Sequence, residues 1–396
     1  MKNNSALNGL RVLELANVLA GPSVGTFLAE LGAEVIKIEN LLTRGDVTRK
    51  WKLPTEDPET DISGYFSCVN WGKLSIALDL KQDAGLGIVL DLVKISDIVL
   101  VSYKPGDARK LGVDYPALRK VREDIIYGEI TGYGPANPRA GYDALLQAET
   151  GFTYMNGTPD GPPVKMPVAL IDVMAAHQLK EAILLALLEK TRTGAGKYLQ
   201  VSLFQSGIAS LVNQAANWLV GKTNPERLGS DHPNIVPYGT IFSTRTGEIV
   251  LAVGTDRQFE DLCRVLGVPE WAQDDRFSSN YQRVRHRDVL KEMIAGEFSK
   301  WARDELLNSL NEWNIPSGAV HNLQEVFRQP EAQDLLLSAE LTSGKYLQGV
   351  RSVVFMKSSD ILPPPHLGEH TDYILTRLLN YSQDKIACLT NKNIIS

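Results

Sequence analysis

Cysteine is scarce in this chain of 396 residues, which contains three: Cys68, Cys263 and Cys388. They stand far apart, so they form neither the close pairs that bind zinc nor a framework of disulfide bonds. Few and isolated thiols are typical of proteins that remain in a reducing compartment. We therefore expect no metal site and a cytoplasmic location.

Long apolar runs and a strong charge of one sign are also missing. The longest apolar run extends from Ala182 to Leu188, much shorter than the ~20 residues that cross a bilayer. The opening segment MKNNSALNG lacks the apolar core of a signal peptide. The net charge of −6 argues against a nucleic-acid partner. We expect no membrane partner, and any anionic ligand needs a local basic patch.

What the chain does contain is an alternation of strand-like and helix-like segments. Leu10–Leu15 and Val35–Ile38 have strand patterns on either side of a turn at Ala20–Ser23 and a helical segment at Ser23–Leu31. The alternation continues with a helix at 85–95, strands at 97–102 and 125–130, a helix at 173–190 and a strand at 199–203. Strands that alternate with helices predict a parallel, doubly wound α/β sheet.

A change in composition at residues 221–233, which are rich in Gly, Asn and Pro, indicates a linker. A hairpin-like pair around Arg245–Glu248 and charged helices up to about Asn314 then indicate a second, smaller domain. The predicted organisation is a large α/β domain whose first part is 1–220, a small α+β domain with its entry linker at 221–318, a return linker at 319–345, and the rest of the large domain at 346–396.

One acidic residue, Asp172, interrupts an apolar segment just before the predicted helix of residues 173–190. Aspartate is favoured at the N-cap, where its carboxylate accepts backbone N–H bonds. The position also suits a nucleophilic carboxylate, because backbone donors at a helix start stabilise a developing oxyanion. A carboxylate held by strong hydrogen bonds is a weaker nucleophile, so the two roles compete. The spacing alone favours the helix cap.

The N-terminal strand–helix–strand unit raises the alternative of a nicotinamide cofactor. Glu39 follows Gly21 by eighteen residues, a spacing near that of the acid that holds a ribose in dinucleotide folds. The Gly-x-Gly-x-x-Gly motif is missing, and Pro22 has no N–H to donate to a phosphate. The sequence therefore argues against this cofactor.

Basic residues are concentrated in the first third of the chain. Most of them fit a solvated surface, but cations near strand ends also suit a phosphorylated ligand such as coenzyme A. They are Arg44, Arg49, Lys50, Lys73, Lys81, Lys104, Arg109 and Lys110. His232, in the loop Gly229–Asn234, is a further candidate site residue. No Ser/His/Asp set and no metal cluster can be assembled from the spacing.

Eight segments, spread in order over nearly the whole chain, together resemble the class III coenzyme A transferases, the family of formyl-CoA and carnitine CoA-transferases. They are LNGLRVLELANVLAGPSVGTFLAELGAEVIKIE, NWGKLSIALDLK, ITGYGP, AGYDALLQAETGFTYMNGTPDGPPVKMPVALIDV, RTGAGKYLQVSLFQS, HPNIVPYGTIFSTRTGEIVLAVGTDRQFEDLC, NIPSGAV and LGEHTDYIL. The resemblance implies an enzyme that moves coenzyme A from an acyl-CoA donor to a free carboxylic acid. The coenzyme A thioester is then a substrate, and no cofactor is bound permanently.

The resemblance implies that Asp172 is the catalytic aspartate, which reverses the preference for a helix cap. In this family the carboxylate attacks the donor thioester and then carries coenzyme A as an aspartyl-CoA thioester, which the acceptor acid takes over. The coenzyme A contacts that carry over by position are Leu19, Ala20, Leu78, Lys81, Ser102, Tyr103, Lys104, Lys110, Ala140, Tyr142 and Asp143. His232 and Tyr238 are expected to help select the acid.

Departures from the family pattern bear on the substrate. Asn40 stands where some members carry a basic residue. Ala140 stands where some carry a lysine, and Arg139 beside it is a potential substitute. The run of four glycines found in formyl-CoA transferases is replaced by Gly229–Asn234. These differences argue against formate or oxalate as the acid.

Two alternatives remain open at this point. The 2-methylacyl-CoA racemases of the same superfamily abstract an α-proton with a His-Asp pair, where this chain has Tyr142 and Asp143. A tyrosine with its ordinary pKa of about 10 is a poor base near neutral pH. The second alternative is a non-catalytic coenzyme A-binding protein. For the whole molecule, the resemblance implies a Rossmann-like large domain made by both chain ends and an interlocked homodimer.

Overall fold

A computed structural model of the protein describes residues 5–340, 346–355 and 361–395. These residues form two compact units. The first unit comprises the described residues up to Thr150, Pro167–Leu211, and the described residues from Asp334 onward. The second comprises Gly151–Met166 and Val212–Gln333.

The strands and helices of the described residues are numbered here in chain order. The strands are β1 (Arg11–Leu15), β2 (Glu34–Asn40), β3 (Lys73–Leu78), β4 (Ile98–Val101), β5 (Ile126–Thr131), β6 (Lys197–Ser202), β7 (Tyr238–Thr244), β8 (Gly247–Ala252), β9 (Ser317–Ala319), β10 (Leu336–Glu340) and β11 (Tyr346–Val350). The helices are α1 (Ala20–Glu30), α2 (Gly64–Ser67), α3 (Asp83–Lys94), α4 (Asp107–Lys110), α5 (Tyr115–Val121), α6 (Asp143–Glu149), α7 (Phe152–Met155), α8 (Leu170–Thr193), α9 (Leu203–Ala209), α10 (Val212–Leu219), α11 (Asp256–Val265), α12 (Asn280–Arg285), α13 (Arg287–Phe298), α14 (Arg303–Glu312), α15 (Leu323–Val326), α16 (Pro330–Gln333), α17 (Thr371–Tyr373) and α18 (Gln383–Asn391). Short 3₁₀ turns lie at Leu41–Thr43, Val47–Lys50 and Pro269–Gln273, and a π-helical turn lies at Ile374–Leu378.

The first unit is built on a six-stranded parallel sheet in the order β3-β2-β1-β4-β5-β6. Glu14 of β1 is paired with Lys37 of β2, and Leu15 is paired with Val101 of β4. The strand order reverses between β1 and β4, and open α/β sheets bind ligands beyond the carboxyl ends of the strands at such a point. The predicted α/β fold with a central parallel sheet is confirmed.

One face of this sheet is apolar and packs against helices. Leu13, Ile36 and Val99 share a core with Val89 and Leu92 of α3. The last helices of the chain close the same core through residues such as Ile374, Leu375 and Leu389. Strand side chains alternate between the two faces, so the residues between these apolar positions point to the other side.

That other side carries a buried cluster of charges. Lys37 Nζ lies 3.1 Å from Glu14 Oε1 and 3.1 Å from Asp46 Oδ2, and Lys73 Nζ lies 2.8 Å from Glu14 Oε2. All four side chains are fully buried. Helix α1 lies close above them because Gly25 has no side chain: a Cβ atom there would stand 1.9 Å from Glu14 Oε2. The charges are therefore paired inside the fold, as burial requires.

The ends of several elements differ from the sequence prediction. Helix α1 begins at Ala20, where a turn was predicted. The prediction missed this start because the N-cap residue, Leu19, makes no side-chain capping bond and gives no capping signal in the sequence. Helix α8 begins at Leu170, so Asp172 lies inside its first turn rather than before it. Strand β3, at the edge of the sheet, was not predicted. Its polar residues Lys73 and Ser75 are buried and leave no continuous apolar run.

The second unit has its own sheet and core. Strands β7, β8 and β9 form an antiparallel sheet, in which Thr244 is paired with Gly247 at the tip of the predicted hairpin. Helices α11, α13 and α14 supply Phe259, Leu290 and Leu306 to a core with Ile249 of β8. Helix α11 begins with a complete capping box between Thr255 and Gln258, a local signal that fixes its start.

The two units and the predicted domain ranges divide the chain at different places. Residues 151–166 and 212–220 belong to the second unit, whereas the prediction put them in the large domain. The predicted return linker at 319–345 contains α15, α16 and β10, and its residues 341–345 lie outside the described residues. One-turn helices give too little periodicity to be detected in a sequence. The domain ranges themselves stay a prediction.

Candidate active site

A cavity of about 180 Å³ lies beyond the carboxyl ends of β1, β4, β5 and β6 in the first unit. The segments that follow these parallel strands meet at one edge of the sheet, which brings together residues far apart in sequence. The cavity is lined by Asn17, Val18, Leu19, Ala20, Gly21, Ser102, Tyr103, Lys104, Pro105, Ile130, Thr131, Gly132, Arg139, Ala140, Gly141, Tyr142, Asp172 and Leu203.

Asp172 is the carboxylate of this cavity. It belongs to the first turn of α8, lines the cavity, and is only 8% exposed. Among the hydrogen bonds of the described residues, none is accepted by its carboxylate. Burial, together with the nearby carboxylate of Asp143, raises the pKa of Asp172 to about 7. A carboxylate in these surroundings is more basic than an exposed one, which favours attack on an electrophile.

The start of α8 is capped by a different aspartate. Asp143 Oδ1 accepts a hydrogen bond of 2.8 Å from the backbone N–H of Ile171, and Asp143 Oδ2 accepts one of 2.6 Å from Gln147 Nε2. The same Gln147 nitrogen donates to the carbonyl of Val168 at 3.1 Å. Asp143 thus performs the capping role that spacing alone favoured for Asp172, and the carboxylate of Asp172 is left facing the cavity.

Arg139 also lines the cavity, but its charge is already paired. Its two terminal nitrogens each donate to a carboxylate oxygen of Glu149 at 3.0 Å, and its guanidinium lies 3.7 Å from the centre of the Tyr133 ring. The hydrogen bonds between these two exposed side chains raise the pKa of Arg139 and lower the pKa of Glu149. Arg139 therefore lines the cavity next to Ala140, as expected of a substitute for a lysine at position 140. Its guanidinium, however, is already paired with Glu149.

A second cavity, of about 440 Å³, adjoins the first, because Asn17 and Tyr103 line both. Lys50 and Lys81 supply cations to its wall, together with Asp79. Lys50 Nζ donates to the carbonyl of Thr43 at 3.3 Å. The pair of cavities therefore extends from a buried carboxylate to a region with two lysines.

The structure brings together most of the residues predicted to contact coenzyme A. Leu19, Ala20, Ser102, Tyr103, Lys104, Ala140 and Tyr142 line the first cavity, and Lys81 lines the second. Three predicted residues line neither. The side chain of Leu78 is fully buried in the apolar core, Lys110 is 78% exposed and paired with Asp107 at 2.8 Å, and Asp143 caps α8. Their role as contacts stays a prediction.

His232 and Tyr238 both lie in the second unit. Their rings meet edge to face with centroids 5.5 Å apart, and the backbone N–H of His232 donates to the carbonyl of Tyr238 at 3.0 Å. His232 Nδ1 accepts a hydrogen bond of 3.1 Å from the backbone N–H of Asn234. Burial and the nearby Arg287 lower the pKa of His232, which favours the neutral imidazole. Their part in selecting the acid stays a prediction.

Some residues of the cavity were not singled out from the sequence. Asn17 and Val18 lie between β1 and α1, Thr131 ends β5, Gly132 follows it, and Leu203 follows β6. Their positions at or within three residues of the ends of predicted strands are the signal that would have identified them, since strand ends form the ligand edge of a parallel sheet.

Glu39, the acid considered for a ribose contact, is occupied inside the protein. Its Oε2 accepts hydrogen bonds of 2.6 Å from Arg49 Nη2 and 2.7 Å from Ser75 Oγ, and its Oε1 accepts one of 3.0 Å from the backbone N–H of Asp46. Glu39 is fully buried, and, although burial opposes its charge, the bond and charge of Arg49 lower its pKa. This carboxylate is therefore a structural ion-pair partner.

Metal-binding clusters and membrane-spanning helices are both missing from the described part of the chain. No cluster of three or more His, Cys, Asp or Glu residues in it has the geometry of a metal site. None of its helices combines the length and apolar character needed to cross a membrane.

The site is thus a buried carboxylate in a cavity at the carboxyl ends of a parallel α/β sheet, the edge at which such sheets bind ligands. The sequence model of CoA-transferase family III matches residues 7–371. The chain therefore belongs to CoA-transferase family III.

Individual relatives agree with this assignment. The chain is 38% identical over 383 residues to the succinate–glutarate CoA-transferase of Agrobacterium fabrum, covering 94% of this chain and 95% of that one. It is 36% identical over 397 residues to the succinyl-CoA:glutarate CoA-transferase of Mus musculus, covering 98% and 90%. A CAIB/BAIF family protein from Brucella suis has a solved structure with a TM-score of 0.82 and 36% identity, covering 95% of this chain and 100% of that one.

These relatives confirm the predicted activity. The protein is an enzyme that transfers coenzyme A from a thioester donor to a carboxylate. This activity agrees with the predicted transfer and not with its two alternatives, the racemase and the non-catalytic binding protein.

Proposed function

We propose that the enzyme exchanges coenzyme A between two dicarboxylic acids of four and five carbons, with Asp172 as the covalent carrier. The observation that carries the assignment of Asp172 is its position: it is nearly buried, faces the cavity, and accepts no hydrogen bond from the described residues. Two relatives of the chain, at 38% and 36% identity, are named for glutarate together with succinate or succinyl-CoA, which supports this class of acid.

The transfer balances through four steps on one carboxylate. An Asp172 oxygen attacks the carbonyl carbon of the donor thioester, the C–S bond breaks, and coenzyme A departs as thiolate, which leaves a mixed anhydride between Asp172 and the donor acid. The thiolate attacks the aspartyl carbonyl carbon, which releases the donor acid and leaves an aspartyl-CoA thioester. The acceptor carboxylate displaces the thiolate again and forms a second mixed anhydride. The thiolate finally attacks the acceptor carbonyl, and the Asp172 carboxylate is restored.

Burial of Asp172 serves this sequence in two ways. A carboxylate with few donors around it keeps its electron density, so it is a better nucleophile than a solvated one. A cavity shielded from bulk water also protects the anhydride and thioester intermediates from hydrolysis, which would waste the energy of the donor thioester. Asp143 supports both roles, because it satisfies the helix start that would otherwise draw Asp172 inward.

The direct test is a search for coenzyme A on Asp172. Purified protein is incubated with succinyl-CoA, digested, and analysed by mass spectrometry for coenzyme A on the peptide that contains Asp172. We expect the adduct on wild-type protein and its loss in Asp172→Asn, with a fall in transfer of at least ~10³-fold. Asp83→Asn is the matched control, because Asp83 also lies in a first helical turn but is exposed; it should keep both adduct and activity.

Other outcomes contradict the covalent mechanism on Asp172. Transfer activity in Asp172→Asn would do so, and so would transfer by the wild type with no adduct on the peptide that contains Asp172.

The class of acid is tested separately with a panel of acceptors. With succinyl-CoA as donor, we expect kcat/KM for glutarate to exceed that for butyrate by at least ~10-fold, because a site that pairs a second carboxylate is left with an unpaired group when that carboxylate is missing. Oxalate is expected to be poor, in line with the loop at Gly229–Asn234. Equal rates with butyrate and glutarate would overturn the assignment of the dicarboxylate class and leave the role of Asp172 untouched.

A further inference from the structure

The turn between β1 and α1 forms one wall of the first cavity and has an unusual backbone. Val18 has a φ of 71°, in the left-handed region, which a β-branched side chain strongly disfavours. The turn is also tight, since a Cβ at Gly21 would lie 2.5 Å from the Cβ of Ala16. Strained backbone of this kind persists only where the surroundings hold it, and it is concentrated at functional sites.

Three side chains from other elements hold this turn through its backbone. Lys37 Nζ donates to the carbonyl of Ala16 at 2.8 Å, and Ser102 Oγ accepts from the backbone N–H of Asn17 at 3.0 Å. The Asp46 carboxylate accepts from the backbone N–H of Val18 at 3.2 Å through Oδ2 and at 3.4 Å through Oδ1. Consecutive residues of the turn are thus anchored one by one.

Two of these anchors are joined to each other inside the protein. Lys37 Nζ lies 3.1 Å from Asp46 Oδ2, and both side chains are fully buried. Asp46 is fixed in turn: its Oδ1 accepts from the backbone N–H and the hydroxyl of Thr48 at 3.1 and 2.9 Å. Burial opposes the charge on Lys37, but Glu14 and Asp46 together raise its pKa above the ordinary value, so the pair is ionic at neutral pH.

We propose that Asp46 and Lys37 are positioning residues that hold Val18 in its left-handed conformation and thereby set the affinity of the cavity for coenzyme A. The proposal rests on the coenzyme A contacts expected at Leu19 and Ala20, the residues that follow Val18 and also line the cavity. Neither Asp46 nor Lys37 lines the first cavity, so their effect on coenzyme A binding passes through the turn.

The test measures the dissociation constant of free coenzyme A by calorimetry in four proteins. In Asp46→Asn, an amide N–H₂ replaces one of the two oxygens that now face Val18, Lys37 and Thr48, so at least one donor loses its acceptor. We expect this variant to bind coenzyme A about 10-fold more weakly or worse, since small misplacements at a site are costly. Adding Val18→Gly should recover most of that loss, because glycine adopts a positive φ without an anchor.

The matched control is Asp97→Asn. Asp97 also joins a backbone N–H to a cation, accepting from Arg11 N at 2.9 Å and from Arg122 Nη2 at 2.7 Å, but it precedes β4 and lies at the opposite end of the sheet. It should bind coenzyme A as the wild type does. The rescue by Val18→Gly is the readout that general loss of stability would not produce.

A crystal structure of Asp46→Asn supplies a readout independent of binding and of the chemistry at Asp172. We expect Val18 to leave the left-handed region in it. Retention of that conformation, an unchanged affinity in Asp46→Asn, an equal loss in Asp97→Asn, or no recovery with Val18→Gly would each overturn the proposal. If Asp46→Asn does not fold, Asp46→Ser replaces it, because serine still caps Thr48 but is too short to reach Val18. Absence of the adduct on Asp172 would instead concern the transfer mechanism.

Discussion

At the scale of single residues, Asp143 caps helix α8 and Asp172 is the covalent carrier that we propose, two roles that a single aspartate performs poorly. The carboxylate of Asp143 accepts hydrogen bonds from the backbone N–H of Ile171 and from the side chain of Gln147, so it is held in place. Asp172 lies two residues into α8 with its carboxylate toward the cavity. The burial of Asp172 and the negative charge of Asp143 both oppose ionisation of Asp172, and a carboxylate with a raised pKa suits the role of nucleophile proposed for it.

The raised pKa predicts the pH dependence of transfer. In the proposed mechanism Asp172 attacks only as the carboxylate, and its pKa is raised to about 7. Below that value kcat/KM should fall about 10-fold for each unit of pH, because the ionised fraction falls in that proportion. The measurement is kcat/KM with succinyl-CoA across the range from mildly acidic to mildly alkaline pH. A profile that stays flat to well below pH 7 would contradict ionisation of Asp172 as the controlling step.

The same group predicts how stability changes with pH. The pKa of Asp172 is raised from 3.8 to about 7 on folding, so the native state holds the proton more tightly and loses stability relative to the unfolded chain as pH rises through this window. At about 1.4 kcal/mol for each unit of pKa, the cost above pH 7 is on the order of a few kcal/mol. Asp172→Asn cannot ionise, so it should be more stable than the wild type.

Thermal unfolding of both proteins checks this expectation. The gain in Tm for Asp172→Asn should be larger at mildly alkaline pH than at mildly acidic pH. A gain that does not depend on pH would contradict the raised pKa as its cause. Asp83→Asn, at an exposed position, should show no such gain.

At the scale of elements, α1 connects the buried charges to the cavity. Its N-terminal residues Ala20 and Gly21 line the cavity, and its middle lies on the cluster of Glu14, Lys37 and Lys73. The carbonyl of Pro22 in α1 accepts from Lys73 Nζ at 2.9 Å. The helix therefore combines buried apolar side chains such as Val24 and Leu28 with polar contacts to the sheet, and its distance from Glu14 depends on Gly25.

Two glycines inside helices allow this packing to be tested. Gly25→Ala in α1 places a Cβ 1.9 Å from Glu14 Oε2 and 3.2 Å from Lys73 Cε, so we expect a loss of about 3 kcal/mol or more. Gly87→Ala in α3 meets no atom within 4 Å and should stabilise the protein by roughly 0.5–1 kcal/mol through helix propensity. Urea denaturation measures both. Equal effects at the two positions would contradict the close approach of α1 to the sheet.

At the scale of the whole molecule, the surface of α8 stands out. This helix buries Ile171, Leu179 and Ile183, yet Leu185 is 68% exposed and Leu188 is 54% exposed. A helix that is apolar on more than one side is typical of elements covered on both sides. The interlocked homodimer implied by the family resemblance would cover such a surface, and it stays a prediction.

Light scattering on the purified protein tests this assembly. We expect a mass of twice that of one chain, and we expect Leu185→Glu combined with Leu188→Glu to lower the fraction of dimer, because charges are costly to bury. A wild-type protein that remains a monomer at micromolar concentration would contradict the prediction. Arg192→Glu in the last turn of the same helix is a control for a change of charge alone, since Arg192 is already an exposed charged residue.

Local patterns in the sequence determined much of the fold. The alternation of strands and helices predicted the parallel α/β sheet, since hydrophobic periodicity is set by neighbours along the chain. It also predicted the hairpin of β7 and β8. Strand β3 was not predicted because Lys73 and Ser75 leave no continuous apolar run, and the start of α1 was not predicted because Leu19 is not a capping residue.

The family and its activity were also contained in the sequence, because eight ordered segments are specific even where each is short. The environment of Asp172 was decided only by tertiary structure. Spacing favoured Asp172 as the helix cap, and the cap turned out to be Asp143, twenty-nine residues earlier in the chain. The pKa of Asp172 and the strained turn at Val18 depend on Asp143, Lys37 and Asp46, which folding brings close in space. Burial and electrostatic interactions depend on distances in space, and these distances cannot be deduced from the separation of residues in the sequence.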